Sequence, residues 1–412
     1  MTFFFPDSVD AVDPGYDFLT EAYSPARVRQ QREAYAHEAL GRAPYDGVLV
    51  SMAMAGFRAG AAGRAPSRYT QSQRFRLFYA GVRDFLRLDA ERSPSGRRLL
   101  AMGDAGAYAY AHLDSPPITA SEVLDFYDGV GFDLGLAPDH IVPGFAPVTK
   151  APESWRLRRE ASLSLAEAFL QEHVARRSEV EPIGVAQGWS PGSYAESVRD
   201  LQAMGYTYIA IGGLAPLGTR SILTCLSAVA GVRRPETRVH LLGLARPECF
   251  DQADAFGVAS FDTTSPLRQA FQDDLNNYHV PDGCHYLAVR VPSWEGNPRL
   301  ERRVREAGVP RVTARRLERS SLDALRRFAA DNASLDEVLD QVHCYEVLFN
   351  GKDQTEAYRR LLTDRPWETC PCRICRALGI EVVLYRGAER NRRRGFHNLH
   401  VFYDALRRRA DA

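Results

Sequence analysis

Short apolar runs alternate with longer amphipathic stretches from about residue 46 onward, and this alternation limits the possible folds. The apolar runs predict seven buried strands, at 48–54, 99–103, 133–137, 183–186, 208–211, 239–244 and 258–261. They lack a strict in/out alternation, as expected when both faces of a parallel sheet are covered. Strands that alternate with helices leave two architectures, a doubly wound sheet and a (β/α)8 barrel.

Polar residues favour the barrel. Five residues lie at or just past the C-terminal ends of five different predicted strands: Asp104, Asp139, Gln187, Gly213 and Asp262. In a barrel these ends converge on one mouth, where active sites lie. The sequence therefore predicts an α/β fold, a (β/α)8 TIM barrel. Its eighth strand is not placed securely, and residues 286–291 are one candidate.

Local signals predict several helix boundaries. Thr119-Ala-Ser-Glu122 has the form of a capping box, which predicts a helix that ends near Gly129. A long helix is expected over 153–177. Ser193-Tyr-Ala-Glu196 predicts the start of a further helix that ends at Gly205.

Charge and hydropathy exclude several classes of protein. The 52 basic and 52 acidic side chains give a formal charge of zero, so any nucleic-acid site must be a local patch. No run approaches the roughly 18 apolar residues of a membrane span. The aromatic run 1–6 has no basic flank and does not resemble a secretory signal. We expect a cytoplasmic protein without a membrane partner.

The strongest local motif is Cys370-Pro-Cys372-Arg-Ile-Cys375, followed by His397 and His400. Three thiolates and one imidazole complete a tetrahedral zinc site, which is structural because no position is left for water. His397 is preferred as the fourth ligand, and His400 is the alternative. The chain is expected to divide into a catalytic barrel with insertions, 1–345, and a zinc-binding subdomain with a closing helix, 346–412.

The polar residues at the strand ends are weak signals one by one. Asp104 lies among small residues that let a flat ligand approach, but such a turn is also ordinary. Asp139 could cap a helix, and Gly212-Gly213 could simply end a strand. Together, several carboxylates, one amide and a Gly-Gly turn suit recognition of a purine-like base. A carboxylate accepts from the N–H edge of a guanine-type ring, and an amide can read its carbonyl.

Taken in order, these motifs resemble the tRNA-guanine transglycosylases. The matching segments are Asp104-x-Gly-x-aromatic, 133–139, 184–188, the string Ile209-Ala-Ile-Gly212-Gly213-Leu214, Phe261-Asp262 and the Cys/His cluster. The resemblance covers roughly 46–270 and 368–408. It implies a zinc-bearing barrel and a pentosyltransferase that exchanges guanine for a 7-deazaguanine base.

The resemblance also implies roles for single residues. Asp262 matches the family's covalent nucleophile, and Asp104 matches its acid/base residue. The matched base-binding groups are Asp139, Gln187, Gly212, Gly213 and Leu214. The matched zinc ligands are Cys370, Cys372, Cys375 and His397.

Departures from the tRNA enzymes concern the substrate more than the chemistry. This chain has Asp104-Ala-Gly-Ala-Tyr108 where the tRNA enzymes usually have Asp-Ser-Gly-Gly-Phe, and Thr263-Thr-Ser-Pro-Leu-Arg268 after the nucleophile. These strings look closer to the branch of the family that inserts a 7-deazaguanine such as preQ0 into DNA. The alternatives are tRNA as the substrate and a non-catalytic homologue that binds nucleic acid.

Arginines are concentrated in the C-terminal segment. Residues 386–412 contain eight arginines and three acids. Arg392, Arg393 and Arg394 precede His397 directly, and such a patch suits contacts with phosphates. A solvated helix end is the alternative reading. A helper ATPase that opens the duplex is a further partner that the sequence leaves open.

Overall fold

A computed structural model describes residues 1–56, 68–93, 96–147, 150–348 and 353–411 of the chain. The chain forms two compact units, each built from separated segments. The first unit comprises Met1–Val9 and Tyr45–Thr264. The second comprises Asp10–Pro44 and Ser265–Ala412. The limits of these units do not coincide with the predicted domain boundary between residues 345 and 346. That boundary stays a prediction.

The first unit is a closed barrel of eight parallel strands, so the predicted TIM barrel is confirmed. Each strand pairs with its neighbours in chain order, and β1 pairs with both β2 and β8 to close the ring. The strands are β1 (Thr2–Pro6), β2 (Gly47–Ser51), β3 (Leu100–Asp104), β4 (Leu134–Leu136), β5 (Glu181–Ala186), β6 (Tyr208–Ile211), β7 (Arg238–Leu241) and β8 (Val258–Asp262).

The eighth strand is the N-terminal aromatic run, not the candidate at 286–291. Phe4 on β1 is only 1% exposed and belongs to the apolar core of the barrel. Burial of a phenylalanine side chain stabilises a fold by about 1.5–3 kcal/mol, which favours its use as a strand. Residues 286–291 instead contribute to two short sheets of the second unit.

Helices surround the strands of the first unit and make up most of the second. Those of the first unit are α2 (Met52–Ala55), α3 (Gln71–Leu86), α4 (Ala120–Val130), α5 (Glu153–Arg176), α6 (Pro191–Met204), α7 (Thr219–Ala230), α8 (Pro247–Phe250) and α9 (Ala253–Phe256). Those of the second unit are α1 (Ala36–Leu40), α10 (Ser265–Gln272), α11 (Pro298–Glu306), α12 (Arg311–Ala329), α13 (Leu335–Glu346), α14 (Thr355–Asp364), α15 (Pro366–Thr369), α16 (Arg373–Leu378) and α17 (Gly387–Asp411).

The second unit also contains two small sheets. Strand β9 (Tyr278–His279) pairs antiparallel with β10 (His285–Tyr286). Strand β11 (Val289–Arg290) pairs parallel with β12 (Leu384–Tyr385). Helix α17 packs on α10, and α13 packs between α12 and α14.

The capping signals had different outcomes. Thr119 caps α4 through the predicted box, in which its hydroxyl accepts the N–H of Glu122. Helix α6 begins three residues earlier than expected, because Ser190 is its cap. Pro191 supplies the first helical residue, a position where its missing N–H costs nothing. Among the described helices, none is both long and apolar enough to span a membrane.

Candidate active site and metal cluster

Most of the sequence-predicted site residues of the first unit lie at one edge of the barrel. Asp104 and Asp262 are the last residues of β3 and β8. Gln187 and Gly212 directly follow β5 and β6, and Asp139 lies three residues past β4. All strands are parallel, so these C-terminal ends form a single mouth.

Asp262 is a buried carboxylate with one oxygen firmly held. Its Oδ1 accepts the backbone N–H of Gly243 at 2.8 Å and lies 3.1 Å from Nε2 of His240. Gly243 has a φ of 67°, which glycine adopts without strain, and this turn aims its N–H at the carboxylate. Among the residues that the structure describes, no donor contacts Oδ2, so this oxygen is available for chemistry.

Asp104 is a carboxyl group suited to holding a proton. Desolvation raises its pKa, although hydrogen bonds from Gly106 and Ser51 act in the opposite direction. The negative charge of Asp262 raises this pKa further. A carboxyl group whose pKa is raised beside a second, ionised carboxylate is the usual arrangement for a general acid paired with a nucleophile. Ser51, the register partner of Asp104 on β2, was not predicted from the sequence.

Asp139 and Gln187 form a buried polar pair. Nε2 of Gln187 donates to Oδ2 of Asp139 at 2.6 Å, and Oε1 of Gln187 accepts the N–H of Val142 at 3.3 Å. Burial raises the pKa of Asp139 to about 7, although the bond from Gln187 lowers it and the charge of Asp104 raises it. The pair is therefore rigid and presents one carboxyl that changes charge near neutral pH.

The glycine turn after β6 supports this pair. A Cβ on Gly212 would lie 2.5 Å from Nε2 of Gln187, so only glycine leaves room for the amide. The N–H of Gly212 donates to the carbonyl of Ala186, and the carbonyl of Gly212 accepts the hydroxyl of Tyr194. In the described part of the chain, the N–H groups of Gly213 and Leu214 have no protein partner. Gly212 thus contributes by its small size, and the N–H groups of the next two residues keep their capacity to donate.

Two further residues belong to this mouth and were missed. His240 lies inside the barrel on β7, where nothing in its local sequence indicates a function. Tyr108 is 75% exposed, and desolvation raises the pKa of its hydroxyl, with smaller contributions from the charges of Asp262, Asp139 and Asp104. Tyr108 lies four residues past the end of β3, at the same edge of the barrel. The aromatic position in the Asp104-x-Gly-x-Tyr108 string was the signal that could have identified it.

In the second unit, three cysteines and one histidine converge. The ligand atoms of Cys370, Cys372, Cys375 and His397 all lie within 4.8 Å of one another, and all four residues are buried. Nδ1 of His397 lies 3.3–3.6 Å from the three Sγ atoms. Tetrahedral zinc with Zn–S and Zn–N bonds of about 2.3 and 2.0 Å would put these atoms about 3.5 Å apart. The donor set and its spacing thus fit the predicted metal.

Neighbouring groups fix the orientation of the histidine. Nε2 of His397 lies 2.7 Å from the carbonyl oxygen of His279, so it donates there and leaves Nδ1 free to bind a metal. The ring of Tyr278 stacks on His397 at 4.2 Å. His400, the alternative ligand, instead lies 2.7 Å from a guanidinium nitrogen of Arg42 and is outside the cluster.

The predicted arginine patch has mostly internal partners. Arg393 is 7% exposed, forms an ion pair with Glu389 and donates to the carbonyl of Asp13 at 2.6 Å. Arg394 is fully buried, and its guanidinium donates to several backbone carbonyls, among them that of Ala270 at 2.6 Å. Because these two guanidinium groups are buried, they are not placed to contact phosphates, which corrects the expectation from the sequence.

Arg392 differs from its two neighbours. Its side chain is 26% exposed, lies 3.6 Å from Asp10 and donates to the carbonyl of Ala11 at 3.3 Å. Arg392 is the most exposed of the three arginines, and a phosphate contact by its side chain stays a prediction.

Comparisons with known proteins agree with this arrangement. A family model described as queuine tRNA-ribosyltransferase matches residues 92–302. A DNA-guanine transglycosylase of Salmonella montevideo is 42% identical over 418 residues, which cover 98% of this chain and 96% of that protein. A tRNA-guanine(15) transglycosylase of Thermococcus kodakarensis is 27% identical over 45% of this chain and 30% of its own. A queuine tRNA-ribosyltransferase of Xylella fastidiosa is 35% identical over 27% of this chain and 29% of its own.

The full-length relative and the family model lead to the same assignment. The family match includes the strand ends that carry Asp104, Asp139, Gln187 and Asp262. The relative extends the similarity through the second unit, which contains the Cys/His cluster. The chain therefore belongs to the guanine transglycosylase family of pentosyltransferases and, along its whole length, resembles the DNA-modifying branch of that family.

Proposed function

We propose that this protein replaces guanine in DNA with a 7-deazaguanine base such as preQ0. The observation that carries the proposal is the pair formed by Asp262, whose Oδ2 is unoccupied by any described donor, and Asp104, whose pKa is raised. A paired nucleophile and acid is what base exchange at a sugar carbon requires. An intact pair also argues against a non-catalytic homologue.

The chemistry proceeds in two displacements. The carboxylate of Asp262 attacks C1′ of the deoxyribose, the C1′–N9 bond breaks, and its electron pair leaves with guanine. Asp104 gives the departing guanine a proton. The incoming base then loses the proton of its N9 position to Asp104 and attacks C1′, which releases the carboxylate of Asp262. Two inversions give net retention at the sugar, as in retaining glycosidases.

The base is held by groups that follow β4, β5 and β6. An ionised Asp139 accepts from the N–H edge of the base, and Gln187 and the N–H groups of Gly213 and Leu214 suit its carbonyl. The ring of Tyr108 offers a flat apolar surface on which a base can stack. The target nucleotide must leave the duplex to reach this mouth, at a cost of a few kcal/mol, and a helper ATPase could supply the opening.

DNA is favoured over tRNA by the extent of the similarity. The DNA-guanine transglycosylase matches 98% of this chain, whereas the tRNA enzyme of Thermococcus kodakarensis matches 45%. The similarity to the tRNA enzyme is thus too short to include both units. The substrate of the full-length relative is therefore the better guide.

The buried Cys370, Cys372, Cys375 and His397 would hold zinc. A closed site of this kind supplies folding energy and takes no part in the chemistry at the sugar. Thiolate ligands persist in a reducing compartment, which supports a cytoplasmic location.

Trapping of the covalent intermediate tests this function. Wild-type protein incubated with heat-denatured genomic DNA should give a protein–DNA adduct that survives denaturation and maps to Asp262. Asp262→Asn should bind DNA but give no adduct, because an amide oxygen is far less nucleophilic than a carboxylate. Asp104→Asn should slow adduct formation by roughly 10²–10⁴-fold without moving its site.

The same assay with bulk tRNA separates the two substrates. An adduct on tRNA alone would retain the mechanism and reject DNA as the substrate. An adduct at any residue other than Asp262 would reject the mechanism.

A further inference from the structure

A chain of hydrogen bonds runs from the mouth into the barrel interior. Nε2 of His240 lies 3.1 Å from Oδ1 of Asp262, and Nδ1 of His240 lies 2.6 Å from the hydroxyl of Ser260. This hydroxyl lies 2.5 Å from that of Tyr208. His240 and Ser260 are fully buried, and Tyr208 is 4% exposed, so among the described residues these three side chains are one another's polar partners.

The direction of every bond in this chain follows from donor and acceptor capacity. A carboxylate only accepts, so Nε2 of His240 carries the proton towards Asp262, and in the tautomer with this single proton Nδ1 accepts. The single hydroxyl hydrogen of Ser260 is then used on Nδ1. Tyr208 consequently donates to Ser260, and burial, which raises the pKa of Tyr208, keeps that hydroxyl protonated. All donors therefore point towards Asp262.

We infer that His240 is a positioning residue that fixes Oδ1 of Asp262 and leaves Oδ2 as the attacking oxygen, with Ser260 and Tyr208 setting its tautomer. This inference rests on the proposed role of Asp262 as nucleophile. Within the described ranges, His240 and the N–H of Gly243 give Oδ1 two donors, and Oδ2 has none. Because both donors hold the same oxygen, the carboxylate cannot rotate and present Oδ1 to the sugar.

His240 has one aromatic and two acidic neighbours besides Ser260. Phe4 packs edge-on against it, with ring centroids 6.1 Å apart. Asp262 is the carboxylate in direct contact, and Asp104 is close enough for His240 to lower its pKa. Tyr208 is the other titratable group on the chain of bonds.

Single-turnover kinetics of the adduct reaction test the inference in the full-length protein. His240→Leu should lower the rate of adduct formation at saturating DNA by about 10- to 100-fold, the worth of one hydrogen bond to a charged group. The DNA dissociation constant should stay unchanged. His240→Gln, which can place an amide N–H near Nε2, should recover much of the rate.

Matched variants separate positioning from stability. Ser260→Ala should lower the adduct rate, whereas Tyr206→Phe should not. Tyr206 is also buried, and its hydroxyl donates to the carbonyl of Ala166 at 2.7 Å, away from the mouth. Both substitutions therefore remove one buried hydroxyl, but only one of them lies on the chain.

Nitrogen-15 NMR of wild-type imidazoles gives an independent readout that needs no folded variant. It should show His240 as the neutral tautomer protonated at Nε2. Protonation at Nδ1, or an adduct rate in His240→Leu equal to that of wild type, would overturn the inference while leaving Asp262 as nucleophile. Absence of a wild-type adduct at Asp262 would instead reject the proposed function.

Discussion

Asp139 is buried where its charge is costly, and this has a measurable consequence for stability. Burial raises its pKa from 3.8 to about 7. The folded protein therefore holds a proton between these values that the unfolded chain has lost, and folding stability falls as pH rises from about 4 to about 7. Above pH 7 the carboxylate is ionised and can accept from a bound base.

Substitution of Asp139 by Asn removes this titration but retains an acceptor for Gln187. The free energy of unfolding of Asp139→Asn, relative to wild type, should rise by about 2–3 kcal/mol between pH 5 and pH 8. Urea unfolding of both proteins at the two pH values measures this difference. The contributions of the other titratable groups are the same in both proteins and cancel. A constant difference across this range would contradict the raised pKa.

Gly212 offers a test of the proposed role of Asp139 and Gln187 in base binding, and it leaves both side chains in place. A methyl group there would lie 2.5 Å from Nε2 of Gln187 and displace the amide from Asp139. Gly212→Ala should therefore weaken binding of free preQ0 by about 10-fold, the worth of a hydrogen bond or slightly more. Calorimetry measures the affinity.

Gly218 provides the control for this substitution. It lies in the same loop, has a φ of −69°, and an added Cβ would meet no atom within 4 Å. Gly218→Ala should leave the affinity unchanged. If Gly212→Ala binds preQ0 as tightly as wild type, Gln187 does not take part in base recognition.

Individual elements position these residues because parallel strands end at a common edge. Strand β3 brings Asp104 to the mouth, β8 brings Asp262, and β7 brings His240 one layer below. Strand β1 contributes no predicted site residue, but it closes the ring beside β8, with Phe4 in register with Asp262. The position of Asp262 thus depends on the N-terminal strand, which is far from it in the sequence.

The elements of the second unit converge on the Cys/His cluster in a similar way. Cys372 caps α16 through its sulfur, and α17 carries His397. Because thiolates must bind the metal for this region to fold fully, Cys372→Ala should release zinc and lower the unfolding temperature. Metal analysis should find about one zinc per wild-type chain and much less in the variant.

An exposed cysteine serves as the control for the metal site. Cys344→Ala, on α13, should keep its zinc and its stability. Zinc below half an equivalent in clean wild-type protein would contradict a zinc site. Full zinc in Cys370→Ala would show that the ligand assignment is wrong.

The whole protein is expected to leave its product in nucleic acid. Cells that contain it, together with a source of 7-deazaguanine, should carry a 7-deazaguanine nucleoside in their DNA that disappears when Asp262 is changed to Asn. Mass spectrometry of nucleosides from DNA and tRNA measures both pools. A modified nucleoside found in tRNA and absent from DNA would reverse the substrate assignment.

Some properties followed from the sequence because they depend on neighbours along the chain. The apolar alternation predicted seven of the eight barrel strands, and the capping box at Thr119 placed the start of α4. The spacing of Cys370, Cys372 and Cys375 predicted a metal site, because three thiolates so close together already lie on one side of a turn. These signals require only local geometry and the periodicity of side chains.

Other properties were decided by contacts between distant segments. In the sequence, Thr2–Pro6 is only a short aromatic run, and its pairing with β2 and β8 makes it a barrel strand. His240 acquires its role from Ser260, Tyr208 and Asp262, which lie 20 or more residues away. Arg393 and Arg394 form a basic string in sequence, but partners near residues 13 and 270 bury them. A sequence specifies which groups can bond, whereas only packing determines which of them meet and which remain exposed to solvent.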